Sequence, residues 1–158
     1  MNHLPLLVPA LLLVLGSHAI GAESESDGVP LINGCRIEPE SKCPNANLRG
    51  ADLRNLDMRH MDLSGADLSG ADLRHVNLDL ANLEKATLRG ANLNRASLQQ
   101  SNLRLADLSG ASLVAIGGWG LFAQAAQFKG ADLTGAYLEF ARMSGAKMHD
   151  STLYAADL

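Results

Sequence analysis

From Ala46 to Leu158 this chain repeats every five residues, in units that read Ala-(Asp/Asn)-Leu-x-x: ANLRG, ADLRN, ADLSG, ADLSG, ADLRH, ANLEK. With the Leu position taken as the centre, centres fall at every residue number ending in 3 or 8, from Leu48 to Leu158. Of these 23 centres 17 are Leu and three are Met58, Met143 and Met148, and the position two residues before the centre is Ala in 16 units. An α-helix turns about 100° per residue, so a five-residue period would scatter the Leu positions around its circumference. A flat strand alternates faces, so an odd period would send successive Leu to opposite sides. Neither element buries every Leu on one side. A short extended piece followed by a turn does, provided each turn brings the chain inward again. Such a chain is a solenoid, in which every unit meets the same neighbours as the last.

The residues between the centres fit that reading. The second residue after the centre is Gly in nine units, and Gly accepts the positive φ that the third residue of a type II turn requires. Asp, Asn, Ser or Thr usually precedes the centre, and these side chains bond nearby backbone groups in turns. The pattern closely resembles the pentapeptide-repeat family, over Ala46–Leu158. The resemblance implies an all-β fold: a right-handed quadrilateral β-helix with four units per coil, Leu filling the interior and Ala at the tight inner position. On that basis the 23 units make just under six coils, a rod roughly 25–30 Å long at about 4.8 Å per strand layer.

One stretch breaks the rule. Ile116–Ala125 (IGGWGLFAQA) lacks the Ala…Leu pair twice, yet Phe128 and Leu133 return in phase. Large and small residues are exchanged: Ile116 precedes Gly118 at the centre, and Leu121 precedes Ala123. A large residue at one inward position can compensate for a small one at the next. Two readings stand: two degenerate sides of the coil, or a loop that bulges out with Trp119 and Phe122 as an interaction tip.

Residues 1–22 read as a secretory signal peptide: an apolar run over Leu4–Leu15, too short to span a bilayer, followed by small residues, with cleavage after Ala22 or Ala19. Residues 23–45 form a polar linker and a cap that carries the two cysteines of the chain, Cys35 and Cys43. In an oxidising compartment this pair reads as a structural disulfide that staples a loop over the apolar end of the first coil. The competing readings, a metal pair or a redox couple, lack a nearby His and the C-x-x-C spacing. The location expected is periplasmic, extracellular or lumenal. At the other end the sequence stops in register, and the last coil would present Phe140, Met143, Met148, Leu153, Tyr154 and Leu158. Met adapts to irregular contacts and aromatics are enriched at interfaces. Some members of the family it resembles dimerise through their C-terminal coils, so an end-to-end homodimer is expected.

Catalytic chemistry finds no foothold. His60, His75 and His149 all fall at outward positions, and no phosphate loop, zinc motif or triad-like set is present. No catalytic, cofactor-binding or metal-binding residue is assigned. Within Ala46–Leu158 there are 12 acidic and 11 basic residues. That balance speaks against nucleic-acid binding, which needs a basic surface. It also speaks against the strongly acidic, DNA-mimicking rods by which some pentapeptide-repeat proteins protect DNA gyrase from quinolones, a cytosolic role that is the alternative here. Columns such as Asp52, Asp72 and Asp132 with Arg54 and Arg74, or Arg49, Arg89, Lys129 and His149, read as exposed ion pairs. The functional reading is a non-enzymatic, exported structural or protein-binding module with an unknown protein partner and no membrane insertion after signal removal.

Overall fold

The computed structural model describes residues 23–24 and 28–158; the proposed signal segment lies outside the described residues. Each five-residue unit contributes one bridge residue and one turn. The bridge residue precedes the centre and pairs in parallel with the residue twenty positions on, as in Asn47 with Asp67, Asp52 with Asp72, and so on to Tyr137 with Asp157. One circuit therefore takes four units. No helix occurs among the described residues.

The backbone accounting explains the five-letter code. In the unit centred on Leu48, the centre N–H donates to the Asp67 carbonyl of the next circuit (2.8 Å), and the Gly50 N–H donates to the Ser69 carbonyl (2.9 Å). The Leu48 carbonyl accepts from the Ala51 N–H (3.1 Å), which closes the turn. The Arg49 N–H has no backbone acceptor among these bonds; it donates to Asn47 Oδ1 at 3.3 Å. Asp52, Asp57, Asp62, Asp67, Asn92 and Asp132 serve the same amide in their own units. Where Asp or Asn precedes the centre in these units, its side chain thus satisfies the one N–H that ladder and turn leave over. The third turn residue has positive φ throughout: Gly50 and Gly130, but also Leu80, Lys85, Arg95, Leu105 and Phe140.

Inside, the centres and the positions two residues before them form one continuous apolar column from Leu48 to Leu138, nearly all buried. Where Ser101 replaces Ala it is fully buried, and its hydroxyl donates to the Leu98 carbonyl at 2.8 Å. Residues 116–125 stay in the coil, since Gly117 bridges Ser97 and Tyr137, and Phe122 bridges Asn102 and Arg142. Ile116 and Leu121 are buried, and a Cβ on Gly118 would lie 2.7 Å from Leu138 Cδ2. The exchange of volumes is therefore literal: Leu121 and Leu138 fill the space that a centre side chain would take.

The repeat geometry begins one unit before Ala46. Lys42 bridges Asp62, Asn45 has positive φ (58°), and Cys43 occupies a buried centre. Before it lies a small antiparallel sheet of β1 (Glu23–Ser24), β2 (Pro30–Ile32) and β3 (Cys35–Arg36). β2 and β3 form a hairpin whose two turn residues, Asn33 and Gly34, both have positive φ. Asn-Gly between apolar residues is a strong two-residue hairpin signal, and the sequence reading above treats this segment only as a loop. The Cys35–Cys43 disulfide, with a Cα–Cα distance of 5.6 Å, ties the hairpin to the first centre. Ile32 and Ile37 enter the core beside it.

Candidate functional site

The sides of the rod use their backbone groups on the ladder, so anything recognised there is recognised by side chains. Along the first part of the rod the charged side chains are largely occupied with one another. Arg54 donates to both carboxylate oxygens of Asp52 (2.7 and 2.6 Å), and Arg59 with Asp57 and Arg74 with Asp72 repeat the arrangement. Arg89 Nε donates to Asp107 Oδ2 at 2.6 Å, one circuit away. The Arg54 hydrogen bond pulls the Asp52 carboxyl down to about 2, and the Arg59 and Arg74 bonds hold Asp57 and Asp72 below the ordinary carboxylate range.

The second half of the rod differs. Arg95, Arg104 and Arg142 have no carboxylate partner among the described residues. Arg104 and Arg142 instead both lie over one ring: their guanidinium carbons are 4.9 and 5.2 Å from the centroid of Phe122. Across the turn Trp119 meets Phe140 edge-on, with centroids 5.9 Å apart and an interplanar angle of 71°. Trp119 is 45% exposed and Phe140 68% exposed, far more than packing residues need be. Between these groups lies a shallow cavity of about 360 Å³ lined by Gln100, Trp119, Gly120, Phe122, Phe140 and Arg142.

The twenty-residue circuit builds this notch. Gln100, Gly120 and Phe140 occupy the same turn position in three successive circuits, and Gly120 leaves a gap between two large neighbours. A Cβ on Gly120 would meet Gln100 Cγ at 3.3 Å. Asn82 Nδ2 donates to Asp62 Oδ1 and Asn102 Nδ2 to Asn82 Oδ1, each at 3.0 Å, and Phe122 then takes the next place in that column. A polar ladder thus gives way to a ring, on which the arginines stack.

Of the residues singled out by the sequence, Trp119 lies in a turn of the coil and Phe122 at a bridge position, and both line the notch, whereas Phe140 belongs with them and not only with the last coil. The sequence reading missed Arg104, Arg142 and Gln100; folding the sequence four units per circuit would have placed Gln100 beside Gly120 and Arg142 beside Phe122. In the last coil Met143, Met148 and Leu153 are half-buried against the core, while Tyr154 and Leu158 are exposed. His60, His75 and His149 are exposed and apart. No group of three or more His, Cys, Asp or Glu suited to a metal occurs among the described residues.

Comparison with known proteins agrees with the architecture. The family described as pentapeptide repeats matches in 8 copies over residues 41–79, 77–113 and 124–158, more than half of the chain. Among solved structures, the pentapeptide repeat protein Rfr23 from the cyanobacterium Cyanothece 51142 is 24% identical with a TM-score of 0.56, covering 73% of this chain and 86% of its own. The pentapeptide repeat protein alr5209 from Nostoc Pcc 7120 is 31% identical, with a TM-score of 0.48 and coverage of 68% and 80%. A structure of QnrB1, a plasmid-mediated fluoroquinolone resistance protein, is 15% identical with a TM-score of 0.31, covering 77% of this chain and 71% of its own. No curated protein matches the sequence. The likeness to Rfr23 shows the fold, a right-handed β-helix. The repeat, the ladder and the family match over more than half of its length together establish that the chain belongs to the pentapeptide-repeat family.

Proposed function

We propose that this protein is an exported, non-enzymatic scaffold that binds a protein partner through the surface that Trp119, Phe122 and Phe140 share across adjacent circuits. The observation that carries this reading is the exposed aromatic cluster, flanked by two arginines that have no carboxylate partner among the described residues. Exposed apolar groups with a polar rim mark interaction surfaces, and aromatic and Arg side chains are the residues that anchor them. Export is supported by the Cys35–Cys43 bond, which suits an oxidising compartment, and by the apolar segment Leu4–Leu15. The rod itself takes a quadrilateral section with just under six coils counted from Ala46, a reading supported by the pairing of each bridge residue with the one twenty positions on.

Cell fractionation tests the location: a mature product that starts near Glu23, outside the cytosol, is expected, and a cytosolic protein that retains Met1 overturns export. Affinity capture with the wild-type protein and with Trp119→Ser tests the surface. Loss of the captured partner in the variant is expected; equal retention removes that surface from the interface. The gyrase-protecting alternative is disfavoured by the near balance of 12 acidic and 11 basic residues in the repeats. A homodimer through the last coil is a further proposal, favoured by the half-exposed inward row of Met143, Met148 and Leu153. Light scattering decides it: a monomer mass at micromolar concentration ends the idea.

A further inference from the structure

We infer that the Gly120 notch receives a large apolar side chain from an extended, acidic segment of the partner, whose neighbouring carboxylate pairs with Arg142 and Arg104. This deepens the protein-binding reading above and rests on it. Three observations set the chemistry. First, the notch is open and shallow, with six lining residues, so a side chain presented by a partner surface can seat in it without having to be enclosed. Second, three of the six lining residues are rings, Trp119 and Phe140 in edge contact and Phe122, while Gln100 lies on the other side of Gly120 from Phe140. Third, the charge at the rim is uncompensated. Arg54, Arg59, Arg74 and Arg89 each hold a carboxylate at 2.6 Å, whereas Arg104 and Arg142 stack on Phe122 and hold none among the described residues. A stacked guanidinium keeps its edge N–H groups free for a carboxylate. Glu139, the exposed carboxylate beside Phe140, forms no ion pair with either arginine.

Phe140 strengthens the case. It sits at φ 59°, in a turn position that is Gly in nine units, and exposes 68% of its surface. A bulky residue there costs backbone strain and hydrates an aromatic ring. Leu80 and Leu105 carry the same backbone cost at the same turn position; at Phe140 the edge contact with Trp119 offsets part of it, and the ring is left at the mouth of the notch.

Trp119 is the single Trp of the chain, so its fluorescence reports on this site alone. The purified protein is titrated with a capped tetrapeptide alternating aspartate and leucine, and with its asparagine–leucine counterpart. The expected result is a saturable change in Trp119 emission with the acidic peptide, weakened by salt, and binding about tenfold or more weaker for the neutral one. Arg142→Gln is expected to abolish that preference. Phe140→Gly is expected to lose binding while melting no lower than wild type, because it relieves the strained φ; a merely structural Phe140 would show the reverse. Equal binding of the two peptides overturns the proposal, as does no response up to about millimolar peptide. A response to anionic phosphatidylglycerol vesicles in place of the peptide overturns it also, and assigns the notch to a lipid surface. If Trp119→Ser loses the captured partner but the acidic peptide is ignored, the protein-binding reading stands and the acidic assignment falls. If capture survives Trp119→Ser, the surface itself is misplaced.

Discussion

Ala125 and Gly130 occupy the same turn position in successive units, both at positive φ (57° and 65°), and both are exposed. Nothing lies within 4 Å of a Cβ built on Gly130, so the two sites differ by little more than a methyl group on a left-handed backbone. That conformation costs an L residue about 1–2 kcal/mol, and glycine's greater freedom when unfolded returns about 0.5–1 kcal/mol of the difference. Ala125→Gly is therefore expected to raise stability by about 0.5–1 kcal/mol and Gly130→Ala to lower it by a similar amount. Chemical denaturation of the pair checks this; shifts of the same sign would refute the backbone account. Gly118 is constrained differently, by space: its missing Cβ would press on Leu138 Cδ2 at 2.7 Å and lie 3.4 Å from the Tyr137 carbonyl oxygen. Gly118→Ala is expected to cost about 1–3 kcal/mol through overpacking, and Leu138→Val in the same chain to recover part of it. Single residues also mark where the sequence stops being readable. The five-residue period by itself places Leu53, Leu73 and Leu93 inside, because their environments are equivalent. Phe140 is not readable in that way. Its contact with Trp119 joins two different positions of the unit in adjacent circuits, so no periodic rule announces it.

The elements of this fold are single units and one hairpin, and neither is stable alone. Each bridge is worth little until the next circuit covers it, so a charge in the column should act on the whole stack rather than on one layer. Leu93 is fully buried, with the column continuing on both sides. Leu93→Asp is expected to abolish cooperative folding, and Leu93→Ala to cost about 2–5 kcal/mol. Asn94, on the outside, is held differently: its Oδ1 accepts from Ser112 Oγ (2.6 Å) and the Val114 N–H (3.0 Å), so even an outward residue can bind two circuits together. The hairpin does for the first circuit what each circuit does for the next. Ile32, Cys35 and Ile37 cover its interior, and the disulfide joins β3 to the centre at Cys43. Closing this eight-residue separation is worth about 2–3 kcal/mol in the chain-entropy account. Cys35→Ser with Cys43→Ser is expected to lose about that much, measured by denaturation under non-reducing conditions. A double variant as stable as wild type would mean that the apolar contacts of Ile32 and Ile37 suffice. The cysteine pair was legible from composition and spacing, the hairpin only from Asn33-Gly34, because a two-residue turn signal outside the repeat is easily read as loop.

At the scale of the whole rod, charge is arranged asymmetrically although it nearly sums to zero. Towards the hairpin, Asp52, Asp57 and Asp72 each receive an arginine of their own unit, while Asp62 and Asp67 accept from the backbone N–H groups of Ser64 and Ser69. All five carboxyls are held below their ordinary range, Asp52 to about 2 through its bond from Arg54. A carboxyl whose pKa is depressed by folding binds a proton more readily in the unfolded chain. Its contribution is thus complete above the unfolded pKa, near 3.8, and is lost as pH falls through the folded value. The sum over such groups makes the rod acid-sensitive: its melting temperature is expected to fall progressively from about pH 5 towards pH 2. These side chains are largely solvated, so each contributes modestly and high salt should flatten the part that comes from arginine. Asp52→Asn with Asp72→Asn separates the two roles of the carboxylate. Asparagine keeps an oxygen for the Arg54 and Arg74 backbone N–H groups but carries no charge, as Asn92 does in its own unit. The double variant should therefore fold at neutral pH, lie slightly below wild type there, and lose less on acidification. An acid slope as steep as wild type would show that the arginine pairs are ornaments of the surface and that acid sensitivity arises elsewhere in the chain.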